Sequence, residues 1–247
     1  MGKINLFAPF IFQLLQFFFF RLFAPMISIE IFTFNAFQEN TYLLQDETGE
    51  AILVDPGMSD AKEEAEFSRY VSDKNIRIVK IVNTHCHIDH VMGNAYSVSK
   101  FKCPLLYPKG EQVVLESSVQ VAKLYNLSYD PSPNATDFIA EDDTIEFGNS
   151  SMRVLGAPGH SPDHIVLVHD IERFVIGGDV LFRGGVGRTD LPGGNESQLC
   201  SSIEKKIYAL PEDFMVYPGH GPATKIGLEM QSNPYVNSSG SGLFQSK

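Results

Sequence analysis

From residue 26 onward the apolar positions follow two periods, and each predicts a different element. Short β-branched runs closed by turn residues predict strands over 28–34, 42–44 and 51–54, the last stopped by Pro56-Gly57. Residues 60–73 are charged on one side, with Ala61, Ala65 and Val71 on the other, which predicts a surface helix. A β-branched strand over 77–83 then runs straight into a group of histidines. A second helix is expected over 111–127, where Val113, Val114, Val121, Ala122 and Leu124 carry the helical period. Strands follow at 144–147, 152–155, 165–168 and 174–176, then a helix at 196–210, a strand at 214–217 and a helix at 224–230. Strand-rich stretches alternating with helices imply sheets covered by helices, a layered α/β fold.

The first 26 residues break this pattern. Residues 6–20 form an uncharged, mostly apolar run between Lys3 and Arg21, interrupted by Pro9, Gln13 and Gln16. As a helix the run rises roughly 22 Å, short of the roughly 30 Å hydrocarbon layer, so a single-pass span is not expected. A basic start and apolar centre suit an export or anchoring segment, but Pro25 sits where a cleavage site needs small residues. A start at Met26 and a packed part of the fold are the other readings. The expected organisation is an N-terminal extension over 1–26, one domain over 27–236 and a flexible Ser/Gly-rich tail over 237–247.

Composition narrows the function. At 43% hydrophobic and 20% charged, the chain is that of an ordinary globular protein. Phenylalanine numbers 19, and 8 of these fall in the first 26 residues. Lys plus Arg at 19 against Asp plus Glu at 30 gives a net charge of −11, so no nucleic-acid partner is expected. Cys86, Cys103 and Cys200 form no C-x-x-C pair, which excludes a disulfide scaffold and a thiolate zinc ribbon and suits a reducing compartment. The expected location is the cytoplasm; membrane association would require the N-terminal extension to be real and retained. Nothing in the sequence reads out an oligomeric state.

The chemistry lies in the histidines. Of 7, three fall in Thr84-His85-Cys86-His87-Ile88-Asp89-His90, two in Pro158-Gly159-His160-Ser161-Pro162-Asp163-His164 and one in Pro218-Gly219-His220-Gly221-Pro222. His169 reads as an ordinary packed or surface histidine. Following a strand, His85 and His87 project to one side while Cys86 points away. Four donors in so short a span exceed what one zinc takes from a single segment, and suit two metals sharing a site. His160, Asp179 and His220, each at an apparent strand end, complete the set. The two oxygens of Asp179 can bridge two cations. His164 is either a ligand or a support that hydrogen-bonds one, and Asp55 either caps a turn or orients a ligating histidine.

This order of motifs resembles that of the metallo-β-lactamase superfamily over nearly all of 26–236. The resemblance implies an αββα sandwich: two mixed sheets face to face, helices outside, the site at one edge. It also implies that His85, His87 and His160 hold one metal, that Asp89, His90 and His220 hold the other, and that Asp179 and a hydroxide bridge them. The ions implied are divalent, zinc first, with iron or manganese as alternatives. The stretch 178–190, Asn40-Thr41-Tyr42 and 217–222 are similar to segments of the short bacterial hydroxyacylglutathione hydrolases (glyoxalase II-like).

The activity so implied is hydrolysis of a small-molecule thioester such as S-D-lactoylglutathione. A thiolate, with a pKa near 8.5, leaves with little help, which fits the lack of an evident general acid. Asp89 would accept a hydrogen bond from the nucleophile, and Arg188 would pair with a carboxylate of the thiol carrier unless it serves only a salt bridge. Two features depart from the family. Only 27 residues follow His220, so the helical domain that grips glutathione in longer relatives is missing, and Ala157 and Asp163 replace the more usual Thr and Gly. Persulfide dioxygenases share much of the pattern and are the nearest alternative, with one iron on the equivalents of His85, His160 and Asp179. A β-lactamase and a non-catalytic metal-binding module are the remaining alternatives. Since every ligand falls after residue 26, a chain lacking residues 1–25 is expected to keep its activity and its metal content. Loss of soluble, active protein on that deletion would place the prefix within the fold.

Overall fold

The computed structural model describes residues 26–245; the expectations for residues 1–25 lie outside the described residues. Six strands form the first sheet, β1 (Ser28–Phe34), β2 (Glu39–Gln45), β3 (Glu50–Val54), β4 (Arg77–Val82), β5 (Leu105–Pro108) and β6 (Asp137–Ile139), in that order. β1 pairs antiparallel with β2 and β2 with β3, and β3 through β6 are parallel. The second sheet has the order β14-β13-β10-β9-β8-β7. Its strands are β7 (Thr144–Phe147), β8 (Ser150–Gly156), β9 (Ile165–His169), β10 (Phe174–Gly178), β13 (Met215–Pro218) and β14 (Thr224–Lys225). A small hairpin, β11 (Leu181–Phe182) with β12 (Gly185–Val186), stands beside it.

Both faces of each sheet are covered, which explains why the central strands read as near-continuous apolar runs. Alternation sends Tyr42, Leu44, Ile52, Val54 and Val82 of the first sheet against Ile165, Leu167 and Ile176 of the second, forming the inter-sheet core. The intervening Leu43, Ala51, Leu53 and Ile81 face outward to helices α1 (Ala61–Asp73) and α4 (Gln112–Tyr125). On the far side Val166, Val168 and Val175 meet Leu199 and Ile203 of the segment starting with α5 (Glu196–Ser202), and Ile226 of α6 (Ile226–Ser232). This is the expected αββα sandwich.

Local chemistry sets the helix ends. Asp60 caps α1, its carboxylate accepting from the Lys62 and Glu63 amides at 2.8 and 2.9 Å. Phe67 anchors the helix to the sheet, edge-on to Phe32 and Phe101 with centroids 5.1 and 5.9 Å apart. Two short helices, α2 (Ile88–Val91) and α3 (Asn94–Phe101), occupy a stretch for which no element is expected from sequence. The helix expected over 196–210 is α-helical only to Ser202, and a wider turn follows in which the Tyr208 amide reaches back to Ile203 O at 2.8 Å. The helix expected from 224 begins only at Ile226, because Thr224 and Lys225 pair with β13 as a strand. From Asn237 to Gln245 the stretch expected to be loose is tied back, Ser238 N–H to Met230 O at 2.8 Å and Leu243 N–H to Pro234 O at 2.9 Å. Among the described residues no helix is long and apolar enough to cross a membrane.

Phe67 is fully buried at the joint of α1, β1 and α3. Phe67→Ala is expected to lower the unfolding free energy by about 3–5 kcal/mol, read by urea denaturation.

Candidate metal centre

Strand direction concentrates the functional side chains. β3 and β4 are parallel neighbours, as are β10 and β13, and β8 runs with β10 because both pair antiparallel with β9. Asp55 follows β3, His85 to His90 follow β4, His160 follows β8, Asp179 follows β10 and His220 follows β13. All therefore emerge from C-terminal strand ends at one edge of the sandwich, where open α/β sheets place their ligands. Backbone bonds join the sheets there: Ile165 N–H to Thr84 O at 3.0 Å and Asn40 N–H to Gly219 O at 2.7 Å.

The donors converge as two groups. His85, His87 and His160 offer nitrogens within 4.8 Å of one another, and so do the ligating atoms of Asp89, His90 and His220. Asp179 lies between the groups. One carboxylate oxygen is 3.4 Å from His90 Nε2, and the other is 3.6 Å from both His160 Nε2 and His220 Nε2. Asp89 Oδ2 is 3.1 Å from His220 Nε2. Burial would raise the Asp179 carboxyl, but the facing His90, His160 and His220 rings outweigh it and hold the group well below the usual carboxylate range. Burial pushes His85 and His164 well below the usual histidine range, with neighbouring imidazoles adding to the shift, so both rings are neutral.

Hydrogen bonds on the outer ring nitrogens fix which atoms face inward. The Asp55 carboxylate accepts from the Thr84 amide at 2.7 Å, the Thr84 hydroxyl at 2.6 Å and His90 Nδ1–H at 3.1 Å. With its proton given to Asp55, the Thr84 oxygen accepts from His85 Nδ1–H at 3.0 Å. His160 Nδ1–H donates to Arg188 O at 2.8 Å and His220 Nδ1–H to Phe37 O at 3.1 Å. Each leaves Nε2 with a lone pair aimed into the site. His85 Nε2, His90 Nε2 and Asp179 Oδ1 are buried without a hydrogen-bond partner. Buried polar atoms are rarely left so, and imidazole nitrogens and carboxylate oxygens orphaned around one space fit divalent cations.

Residues expected to support the ligands fall in two places. His164 is behind the site: its Nε2 accepts from the Asp179 amide at 3.1 Å, and its ring stacks on His85 with centroids 4.6 Å apart. Asp55 spends its carboxylate on three donors, which makes it an orienting group. Arg188 sits at the rim, its guanidinium forked onto Asp190 at 2.7 Å twice. That pairing draws the Asp190 carboxyl down to about 2. His169 lies at the far end of β9, outside the site, where its Nδ1 accepts from the Glu172 amide at 3.3 Å. Glycine makes the packing feasible at two points. Gly178 has a left-handed φ of 46° and a side chain there would strike His164 and Thr84, while one on Gly219 would strike Asp179 and His90.

Further side chains position the donors. Asn40 Nδ2 donates to Pro218 O at 3.1 Å and Gly221 O at 2.8 Å, and Tyr42 OH donates to Pro218 O at 2.6 Å, so Asn40-Thr41-Tyr42 clamps the His220 loop. Glu111, fully buried, accepts from the Cys86 amide at 3.0 Å and the Asp163 amide at 2.8 Å. Asp163 reciprocates by accepting from Gly110 N–H at 2.8 Å, so the departure noted at this position joins the His160 loop to the start of α4. Glu39 is also fully buried, with one oxygen on the Thr41 hydroxyl at 2.8 Å and the other 3.9 Å from His90 Nδ1. Thr84 relays Asp55 to His85. Glu39, Glu111 and Thr84 are common residue types at unremarkable spacing; only burial reveals them.

Such a layered sandwich with a His/Asp edge site defines a metalloenzyme fold. Residues 34–220 match the metallo-beta-lactamase superfamily model, and the chain belongs to that superfamily. The hydroxyacylglutathione hydrolase GloC of Haemophilus influenzae is 32% identical over 220 residues, 86% of this chain and 99% of that one. Human mitochondrial persulfide dioxygenase ETHE1 is 33% identical over 73% of this chain but only 63% of its own length. Among solved structures, the BLEG-1 B3 metallo-beta-lactamase superposes with a TM-score of 0.77 at 30% identity, covering 84% of this chain and 98% of that one. TTHA1623 in a di-iron-bound form gives 0.75 at 33%, covering 83% and 98%.

Two variants test the supporting network. Asp55→Asn replaces an acceptor of His90 Nδ1–H by an amide that serves it poorly, and is expected to weaken metal binding 10- to 100-fold in a chelator competition titration. Glu111→Ala strands two buried amides and is expected to cost about 2–4 kcal/mol of stability in chemical denaturation.

Proposed function

We infer that the protein is a two-metal hydrolase of thioesters, of the hydroxyacylglutathione hydrolase type. His85, His87 and His160 would hold one ion and Asp89, His90 and His220 the other, with Asp179 between the two groups. The ions are divalent, zinc first, with iron or manganese as alternatives. The position of Asp179 carries this reading, since its two oxygens approach histidines of both groups at 3.4–3.6 Å. The likeness to GloC over almost its whole length supports the same reading.

Bound divalent cations supply a deprotonated water near neutral pH and polarise an acyl carbonyl. The chain supplies the rest. Asp89, its carboxylate partly open to the cleft, accepts a hydrogen bond from the attacking water and so orients it. Asp55 and Thr84 engage Nδ1 of His90 and His85, so Nε2 of each ring faces the site. The flanking apolar walls thin out competing water. Departure of a thiolate requires no acid from the protein.

Elemental analysis of the purified protein is expected to find close to two metal ions per chain, and S-D-lactoylglutathione is expected to be hydrolysed. One iron per chain, with rapid oxygen uptake on glutathione persulfide and no thioester cleavage, would overturn the reading.

A further inference from the structure

His87, Asp89, His160, Asp179 and His220 form the floor of an open cleft of about 960 Å³, large enough for a substrate of some size. One wall is α4. Glu111, just before the helix, is bonded to Cys86 of the His85–His87 segment, and Tyr125 at its end packs edge-on to Phe37, whose carbonyl holds His220. The helix therefore crosses the cleft from one donor group to the other.

Two stripes run along α4. Val114, Leu115, Ser118 and Ala122 are buried against the body of the protein. The second stripe, Val113, Ser117, Val121 and Leu124, lines the cleft, and its spacing keeps it on one helical face. Val113 and Leu124 are 62% and 79% exposed and Tyr125 55%, an apolar display where a solvent-facing helix normally carries charge. Eleven residue steps of helix make this stripe roughly 16 Å long. Phe182, Val186, Leu191 and Pro192 face it across the cleft.

Charge points the same way. Glutathione carries two carboxylates, yet among the described residues lining the cleft Arg188 is the one Arg or Lys, and its fork is already filled by Asp190.

We propose that the α4 stripe and the wall facing it form a binding site for an apolar acyl chain, so that medium-chain acyl thioesters are the preferred substrates. The proposal rests on the thioester reading and names its substrate class. In the reaction the acyl C–S bond breaks and a C–O bond to water forms, giving a carboxylic acid and a free thiol, with no redox partner. Each methylene laid on the stripe leaves water and adds to binding in the transition state.

The test uses the full, metal-loaded chain and N-acetylcysteamine thioesters from acetyl to octanoyl. kcat/KM is expected to rise two- to fourfold per added methylene from butyryl to octanoyl, and octanoyl to surpass S-D-lactoylglutathione. Leu124→Asp is expected to flatten this slope. Leu228→Asp, at an exposed site on α6, leaves it as it was. Calorimetry with the non-hydrolysable S-octyl and S-ethyl thioethers of N-acetylcysteamine is expected to show at least tenfold tighter binding of the octyl compound. Equal rates along the series, with the two thioethers binding alike, would overturn the acyl site while leaving the hydrolase reading in place. Selective octyl binding without cleavage of any thioester would support the apolar site and overturn the hydrolase reading. A concentration-dependent dimer abolished by Leu124→Asp would assign the wall to a second copy of the chain and overturn the proposal.

Discussion

A single buried carboxylate sets the geometry of the centre. Asp55 stands at the end of β3 with a left-handed φ of 48°, a conformation that costs energy in a residue with a side chain. In return it meets three donors: the Thr84 amide, the Thr84 hydroxyl and His90 Nδ1–H. The first fixes the direction in which the chain leaves β4. The second makes Thr84 an acceptor for His85, and the third turns His90. One group thus orients a member of each donor cluster. Removing one partner from such a network strands charged and polar atoms in a low dielectric, so the arrangement holds as a unit.

The second sheet reaches the same edge by other means. β10 and β13 are parallel, and the Gly219 amide bonds Gly178 O at 2.8 Å, so Asp179 and His220 are set side by side by neighbouring backbones. Asn40 and Tyr42 then bind the His220 loop from the first sheet. Around this polar floor the walls are apolar, and the excess negative charge of the chain lies mostly elsewhere. The outcome is a divided surface, with the charged donors at the bottom and the hydrophobic contact area at the sides.

Much of this is legible in the chain, for reasons that can be named. Ile165 to Val168 and Phe174 to Ile176 read as strands because both faces are buried, and the structure extends each by one or two residues. The donors are legible because histidines at two- and three-residue spacing after a strand have few other uses. β5 is hidden because Pro104 precedes it and Pro108 is the last of its four residues, and β6 because it is only three residues long. Helices α2 and α3 are masked by their His, Asp, Asn and Ser content, which reads as loop. Glu111 sits in Lys109-Gly110-Glu111, a stretch that looks like solvated surface; only the meeting of two loops that are distant in sequence makes it a buried clamp.

The Asn40–Pro218 contact spans 178 residues of chain, so the full donor set exists only once both sheets have docked. Contacts of such separation form slowly. The donors from His85 to His90, by contrast, lie within one short segment and are together even in the denatured chain. Metal present during refolding therefore meets a local chelator before it meets the finished centre. Binding to the unfolded state subtracts from the stabilisation that the native site provides. The same closeness that makes the motif easy to read thus gives the unfolded chain a hold on the ion, and the distant His160, Asp179 and His220 tip the balance towards the native state.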